Sequence, residues 1–140
     1  MKRVIRNNLT YALICSTDDF QPGVNFVSEP QWSLQVGLLE WPRAHALSAH
    51  AHLPHNPGQV QHQEFLFVVS GEVEVEFFDE TGFCFQTEIL APGQALLQVR
   101  GGHGFRFLAD TRLIEVKSGP YRGREKDKVA LEANPAASPA

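Results

Sequence analysis

The sequence contains few cysteines and lacks any long apolar run. Its only cysteines are Cys15 and Cys84, which show no CxxC spacing, so the pattern does not indicate a disulfide framework and we expect two buried free thiols. No segment approaches the roughly 18 consecutive apolar residues that span a bilayer. The apolar run from Tyr11 to Cys15 is too short for the core of a signal peptide. We therefore expect a soluble, cytoplasmic protein that has no membrane partner.

Positive charge is also scarce. The 140 residues include 12 Lys and Arg against 16 Asp and Glu, which gives a net charge of −4. Because no basic surplus exists to neutralise phosphates, we expect no nucleic-acid partner. Hydrophobic residues make up 43% of the chain, with ten Phe against one Met, which is typical of a soluble globular domain with an aromatic core. A chain of this length fits one domain.

No amphipathic helix of ten or more residues is visible, because the hydrophobic pattern has a period of two almost throughout. In Glu72–Phe77 three acids alternate with three apolar residues, which predicts a strand with one wet face. Ser70-Gly71 before this strand predicts a tight hairpin, and 79–82 predicts a second turn. Turn signals recur roughly every 8–12 residues, which indicates an all-β sandwich or barrel. The predicted strands cover residues 32–40, 44–52, 64–69, 72–77, 83–90, 95–99, 103–108 and 112–117.

The pattern divides the chain into three parts. Residues 32–123 hold the predicted strands and form the barrel. Residues 1–31 are expected to add edge strands or to contact a second subunit, since exposed sheet edges need covering and a homodimer is a common solution. Residues 124–140 are polar and then rich in Ala and Pro, so we expect a partly disordered tail.

The histidines offer a candidate metal site. His50 and His52 are two residues apart on a predicted strand, so both side chains project from one face. Glu64 begins the next apolar strand, where a charged residue needs a partner. His103 lies between Gly102 and Gly104, where the backbone can turn tightly and direct the ring inward. Three imidazoles and one carboxylate form a mixed N/O set that suits Fe, Mn, Ni or Zn and usually leaves positions open for water or substrate.

Neighbouring polar residues leave alternatives open. His62 lies two residues before Glu64, so it is a candidate ligand or, together with Glu64, a candidate for proton transfer. His55 is expected in a loop, and His45 on the face opposite His50. A register slip of one residue would exchange Glu64 with Gln63. For an anionic substrate the candidate contacts are Arg106, Lys117 and Arg122, of which Arg106 is expected to point outward.

Two motifs resemble those of the cupin superfamily. The run from Glu64 to Gly71 reads E-x6-G and is similar to the end of the first cupin motif, in which the Glu is a metal ligand. Pro92-Gly93, nine further residues and then His103 are similar to the second motif. The chain departs from the first motif because eleven residues separate His52 from Glu64, where the family has three or four. This difference implies a longer loop between the two strands.

Further segments resemble a group of small, single-domain bacterial cupin metalloproteins linked with surface-polysaccharide synthesis. They are the Gly-Gly-His-Gly-Phe run 101–105, the EVKSGPY run 115–121 and Asp127-Lys128, and the resemblance covers roughly residues 32 to 129. It implies an all-β, single-domain double-stranded β-helix barrel. It also implies a divalent transition metal whose ligands are His50, His52, Glu64 and His103.

Three hypotheses for function follow. The first is a metal-dependent enzyme acting on a sugar or another small polar metabolite through an open metal position. The second is a non-catalytic module that binds a carbohydrate or another small molecule. The third is a metal-independent barrel similar to sugar isomerases or epimerases, in which the histidines act as acid and base. Each requires a small-molecule ligand.

Overall fold

A computed structural model describes residues 1–53 and 63–131. Within these residues the chain is almost entirely β-structure, with a 3-10 turn at Thr17–Asp19 and one short helix, α1 (Arg124–Asp127). The strands are β1 (Lys2–Arg6), β2 (Leu9–Ile14), β3 (Gly23–Phe26), β4 (Leu34–Trp41), β5 (Ala46–His52), β6 (Glu64–Ser70), β7 (Val73–Phe78), β8 (Cys84–Leu90), β9 (Ala95–Gln98), β10 (Gly102–Phe107), β11 (Thr111–Ser118) and β12 (Lys128–Ala130).

Ten of these strands form two five-stranded antiparallel sheets. Sheet I has the order β12-β5-β10-β7-β8, and sheet II has the order β3-β4-β11-β6-β9. The main core lies between the sheets and draws equally on both of them. Its buried members are Leu39, Leu66, Val68, Val73, Val75, Phe105, Phe107 and Leu113.

The alternating sequence pattern explains which side chains enter this core. On β7, Val73 and Val75 are fully buried while the acids between them point outward. On β11 every second residue is buried, and the series ends with Glu115 and Lys117. Two charged side chains therefore continue the buried face of β11 beyond the apolar core, toward one end of the barrel.

The predicted hairpin at Ser70-Gly71 is wrong, because β6 and β7 lie in different sheets. The turn instead carries the chain across the sandwich. Gly71 has a φ of 86°, and a Cβ there would lie 2.3 Å from the carbonyl oxygen of Asp110. The tight approach of the 109–111 connection makes glycine necessary at this turn.

The N-terminal residues form a separate hairpin and an outer cover. Strands β1 and β2 pair only with each other among the described residues, and β3 is the edge strand of sheet II next to β4. A second apolar cluster packs Phe20 and Val27 against Leu38. Residues 17–27 thus cover part of the outer face of sheet II.

The C-terminal boundary differs from the predicted one. Residues 124–130 form α1 and β12, and β12 pairs with β5 at the edge of sheet I. A polar sequence joins the sheet here because the buried carboxylate of Asp127 has cationic partners inside the barrel, which composition alone does not reveal. Residues 132–140 lie outside the described part of the chain.

Neither of the two cysteines is fully buried. Cys15 is exposed and Cys84 is half-buried, so the expectation of two buried thiols is wrong. No helix among the described residues is long and apolar enough to cross a membrane.

Candidate metal centre

Three strands bring the predicted ligands together at one end of the barrel. His50 and His103 are direct partners across β5 and β10 of sheet I, and His52 follows His50 on the same face. Glu64 begins β6 on the facing sheet. Glu64 and His103 are 5% and 2% exposed, so the carboxylate and the ring face each other inside the protein.

The ligand atoms are close enough to share one ion. His50 Nε2 lies 3.2 Å from His103 Nε2. Glu64 Oε2 lies 2.7 Å from His52 Nε2 and 3.6 Å from His103 Nε2. Metal–ligand bonds of about 2.0–2.2 Å place neighbouring ligand atoms roughly 2.8–3.6 Å apart. The three histidines form one group whose ligand atoms all lie within 4.8 Å of one another, and His52 and Glu64 belong with Glu115 to a second such group.

The other ring nitrogen of each histidine is held by a polar group. His50 Nδ1 lies 2.8 Å from the carbonyl oxygen of Ser48, and His103 Nδ1 lies 2.6 Å from Gln98 Oε1. The amide nitrogen of Gln98 donates to the carbonyl oxygen of Arg100, which keeps its oxygen directed toward His103. His52 Nδ1 lies 3.5 Å from Asp127 Oδ2. Such partners fix the ring orientation of metal-binding histidines.

These contacts direct the lone pairs of His50 and His103 toward each other, an arrangement that a cation would stabilise. Burial lowers the pKa of His50 to about 4 and that of His103 to about 3, so both rings are neutral at pH 7. Each neutral ring donates its Nδ1 proton to the partner named above, which leaves a lone pair on Nε2. Two lone pairs 3.2 Å apart repel each other. A cation bound by both nitrogens removes that repulsion.

His52 behaves differently from the other two rings. Burial lowers its pKa, but the hydrogen bonds to Asp127 and Glu64 outweigh burial and raise the pKa to about 9. Without a metal, His52 is therefore protonated at pH 7 and pairs with the Glu64 carboxylate. A divalent cation would take the place of this proton, because metal binding requires the neutral ring.

A second carboxyl group accompanies Glu64. Burial raises the pKa of Glu115, and the neighbouring charge of Glu64 raises it further, to about 8. Burial also acts to raise the pKa of Glu64, but His103, His52 and the hydrogen bond from Glu115 outweigh it and hold that pKa well below its usual range. At neutral pH the pair therefore consists of one carboxylate and one carboxylic acid. Glu115 could also join His52 and Glu64 in a second, overlapping ligand set.

Four further polar residues complete the site, and spacing alone does not identify them. Gln98 and Lys117 lie opposite Glu64 on the two strands that flank β6, so all three share one face. Lys117 Nζ lies 2.8 Å from Asp127 Oδ2. Glu115 lies two residues before Lys117 on β11, so both side chains project from the same face. A signal was present, since Glu115, Lys117 and Asp127 belong to the EVK and DK motifs that carry the family resemblance.

The other predicted candidates have different outcomes. Gln63 is exposed while Glu64 is buried, as expected for the register with Glu64 inside. His45 stacks on Trp41 at 3.9 Å between ring centroids, away from the three clustered rings. His55 and His62 lie outside the described residues. Arg106 points outward and pairs with Glu74.

The interior cavity beside the cluster is small, about 100 Å³. Its lining includes His50, His52, Glu64, His103, Glu115, Lys117 and Lys128, together with apolar residues from both sheets. A second, outer cavity of about 440 Å³ is lined by residues of β5 with Arg124 and Lys128, and it shares Leu47, His50 and Lys128 with the interior one.

Comparisons with solved structures identify the architecture. The chain is similar to an uncharacterised double-stranded β-helix protein from Klebsiella pneumoniae, with 18% identity over 87% of this chain and 93% of that chain and a TM-score of 0.65. It is similar to KdgF from Halomonas sp., with 27% identity over 74% of this chain and 86% of that chain and a TM-score of 0.53. It is also similar to oxalate decarboxylase from Bacillus subtilis, with 16% identity over 71% of this chain but 24% of that chain and a TM-score of 0.56.

These likenesses show that the fold is the cupin double-stranded β-helix, as the sequence predicts. Oxalate decarboxylase is a protein with Mn(II) centres. No protein-family model and no curated protein matches the chain.

Proposed function

We propose that the protein is a metal-dependent enzyme that acts on a small polar metabolite at the end of the cupin barrel. The carrying observation is the clustering of His50, His52 and His103, two of which contact Glu64, with the second nitrogen of every ring held by a polar group. The arrangement is the one that metal-binding histidines require.

The metal would be a divalent transition metal such as Fe, Mn, Zn or Ni, because imidazole and carboxylate ligands suit all four. When bound, it would polarise an oxygen atom of the substrate as a Lewis acid. The Mn(II) centres of oxalate decarboxylase show that one structural neighbour uses such an ion. The low pKa of Glu64 keeps it ionised and suits it to bind a cation.

Glu115 is better placed than Glu64 to move a proton. Its carboxyl group is 7% exposed, lies beside Glu64 and lines the interior cavity. Lys117 and Asp127 form an ion pair at the same wall. Glu64 and His62 were the candidates from sequence, and the pairing of Glu64 with two histidines assigns it a binding role instead.

The wider setting of the activity rests on the motif resemblance. The charged residues of the EVK and DK motifs meet at the metal centre, which supports a role for the whole signature in one site. We keep surface-polysaccharide synthesis as the expected context, and a sugar or sugar derivative as the first substrate class to examine.

The metal content tests the first half of the proposal. Protein expressed in medium containing Fe, Mn, Zn and Ni should retain about one metal ion per chain by elemental analysis. His50→Ala and His103→Ala should each lose it, while the matched control His45→Ala keeps it. A metal-free wild-type protein, or retention in both ligand variants with unchanged circular dichroism, would overturn the proposed centre.

Substrate depletion tests the second half. The metal-loaded protein is incubated with a mixture of sugars and sugar derivatives, and Glu115→Gln serves as the control because it keeps the shape but holds no transferable acid proton. Conversion by the wild type alone supports an enzyme. Retention of a compound without conversion by both proteins would instead indicate the non-catalytic binding module.

A further inference from the structure

The strand register places Lys128 at the boundary of two cavities. Lys128 pairs with His52 across β12 and β5, and directly opposed residues project from the same face of a sheet. The side chain therefore extends toward the interior, where it lines the cavity that holds Glu64 and the three histidines. It also lines the outer cavity of about 440 Å³, together with Arg124.

The cations of this region differ in their pairing. Lys117 is neutralised by Asp127, with Nζ 2.8 Å from Oδ2. Neither Lys128 nor Arg124 has an ion pair with any carboxylate of residues 1–53 and 63–131. Burial lowers the pKa of Lys128, and the positive charges of Lys117 and Arg124 lower it further. Two cationic side chains without an ion pair among the described residues thus face a cavity whose described lining includes no acid.

The same cavity contains buried ring nitrogens that need partners. Trp41 and His45 line it as a stacked pair. Trp41 Nε1 and His45 Nε2 are buried and form no hydrogen bond with a described residue. Because a buried polar group without a partner is destabilising, this wall is suited to a polar ligand.

The two cavities differ in size, which suits them to hold different parts of one ligand. Pockets for small molecules usually enclose about 300–1,000 Å³. The interior cavity of about 100 Å³ falls below that range, and the outer cavity of about 440 Å³ falls within it. The interior space can therefore admit only the reacting group, and the remainder of a metabolite would lie in the outer cavity, which shares part of its lining with the interior one.

We propose that the outer cavity binds the anionic end of the substrate, with a carboxylate or phosphate group held by Arg124 and Lys128 while the opposite end passes His50 and enters the metal centre. The inference rests on the proposed function, because it names the substrate class of the same site. Arg124 supplies a planar group suited to either anion, and Lys128 supplies a point charge. The substrate class is a small anionic metabolite of about the size of a monosaccharide derivative.

Three matched probes test this proposal by calorimetry, with both metal-loaded and metal-free protein. Glucose 6-phosphate and glucuronate carry an anion on the same carbon, and glucose carries none. We expect one or both anions to bind at low salt and glucose not to bind. The tighter of the two anions identifies the preferred group.

Substitutions then locate the binding. The double variant Arg124→Gln with Lys128→Gln should lose at least about tenfold in affinity, because it removes both charged hydrogen-bond donors to the anion. The charge-conserving variant Arg124→Lys with Lys128→Arg should keep most of the affinity. Arg106→Gln, which removes an exposed cation elsewhere on sheet I, should change nothing.

The outcomes separate the two proposals. Equal affinity in the wild type and in the double Gln variant, or no binding of either anion to the wild type, would overturn the anion site. Anion binding that depends on Arg124 and Lys128 in a protein that never holds a metal would support the anion site and refute the metal centre. The double Gln variant should retain its metal, since neither residue is a ligand.

Discussion

Two histidines on one strand have opposite acid–base behaviour, although only one residue separates them. His50 has a pKa near 4 because burial is not compensated by any anion in contact with it. His52 has a pKa near 9 because Asp127 and Glu64 contact its two nitrogens. The local carboxylates, and not depth alone, decide which ring is charged at pH 7.

This difference predicts how the stability of the metal-free protein depends on pH. His50 and His103 have folded-state pKa values below 6.5, so the unfolded chain binds more protons and stability is lost as the pH falls below about 6.5. His52 and Glu115 have raised pKa values of about 9 and 8, so the folded state binds more protons and stability is lost as the pH rises toward 9. Between pH 4.5 and 6.5 the proton that Glu115 holds in the folded state changes stability in the opposite direction to the two histidines. The effect of the histidines is the larger one, because they are two groups and Glu115 is one.

Urea unfolding in the presence of a chelator checks this prediction. The free energy of unfolding should be highest near pH 6.5 and lower at both pH 5 and pH 9. Glu115→Gln should weaken the alkaline loss while leaving the acid loss in place. A stability that rises steadily to pH 9 would contradict the assignment of His52 and Glu115 as proton carriers.

At the residue scale, sequence could identify the histidines but not their surroundings. The HxH spacing and the glycine-framed His103 depend only on strand alternation, and the structure brings these rings together. Asp127 contacts His52 from a distant position along the chain, and Gln98 reaches His103 from the neighbouring strand β9, through contacts that no local pattern encodes. Glu115 and Lys117 continue an apolar strand, so their burial depends on partners supplied by other strands.

At the scale of elements, the turn between β6 and β7 passes very close to a neighbouring connection. A side chain at Gly71 would require both a φ of 86° and overlap with the backbone of Asp110 and Thr111. Gly93 has nearly the same φ, 83°, but a Cβ there would meet nothing within 4 Å. The two positions therefore separate backbone strain from overlap.

Alanine substitutions at these glycines should differ in cost. Gly93→Ala should lower the free energy of unfolding by about 1–2 kcal/mol, the cost of the left-handed conformation alone. Gly71→Ala should lower it by about 3 kcal/mol or more, because overlap adds roughly 1–3 kcal/mol. Urea unfolding at constant pH measures both. Equal losses would mean that the 109–111 connection moves away freely.

The strands themselves were predictable, whereas their partners were not. All eight strands predicted from periodicity overlap observed strands, because alternation is a local property. The Ser70-Gly71 error arose because a turn signal does not reveal whether the next strand pairs with the previous one or crosses to the other sheet. Strand β12 was missed because it has three residues and only one of them is apolar enough to signal a strand.

At the scale of the whole molecule, the β1–β2 hairpin has a half-exposed apolar face. Val4 and Ile14 project from one side of it and are 42% and 54% exposed. A two-stranded sheet is marginally stable unless it packs against something. We propose that this face meets the same face of a second copy, in a homodimer.

Light scattering at micromolar concentration tests the dimer. Val4→Glu with Ile14→Glu should convert a dimer into monomers and leave the metal content unchanged, because the hairpin contributes no ligand. Lys2→Glu is the control, since it adds an acid to the same face without removing an apolar group. A monomeric wild-type protein would show that the hairpin has another partner.

The overall fold was available from sequence because it follows from composition and periodicity together with two motifs. Single-domain length, a regular series of turns and the absence of long helices leave an all-β sandwich or barrel, and the E-x6-G and PG…His motifs select the cupin form. The placement of residues 1–31 was less accessible. Phe20 and Val27, which flank the edge strand β3, cover part of sheet II, and no strong periodic pattern in this stretch signals that role.

The proposed ligands are divided unequally between the two layers of the sandwich, since His50, His52 and His103 belong to sheet I and Glu64 belongs to sheet II. A cation held by all four would cross-link the two sheets at the end of the barrel. The layers could then separate at that end only by breaking the bond to Glu64, so local breathing of both layers would be suppressed together. A bound metal would thus slow hydrogen exchange of backbone amides far along both β5 and β6. The rigidity of the barrel would then depend on how much metal is available.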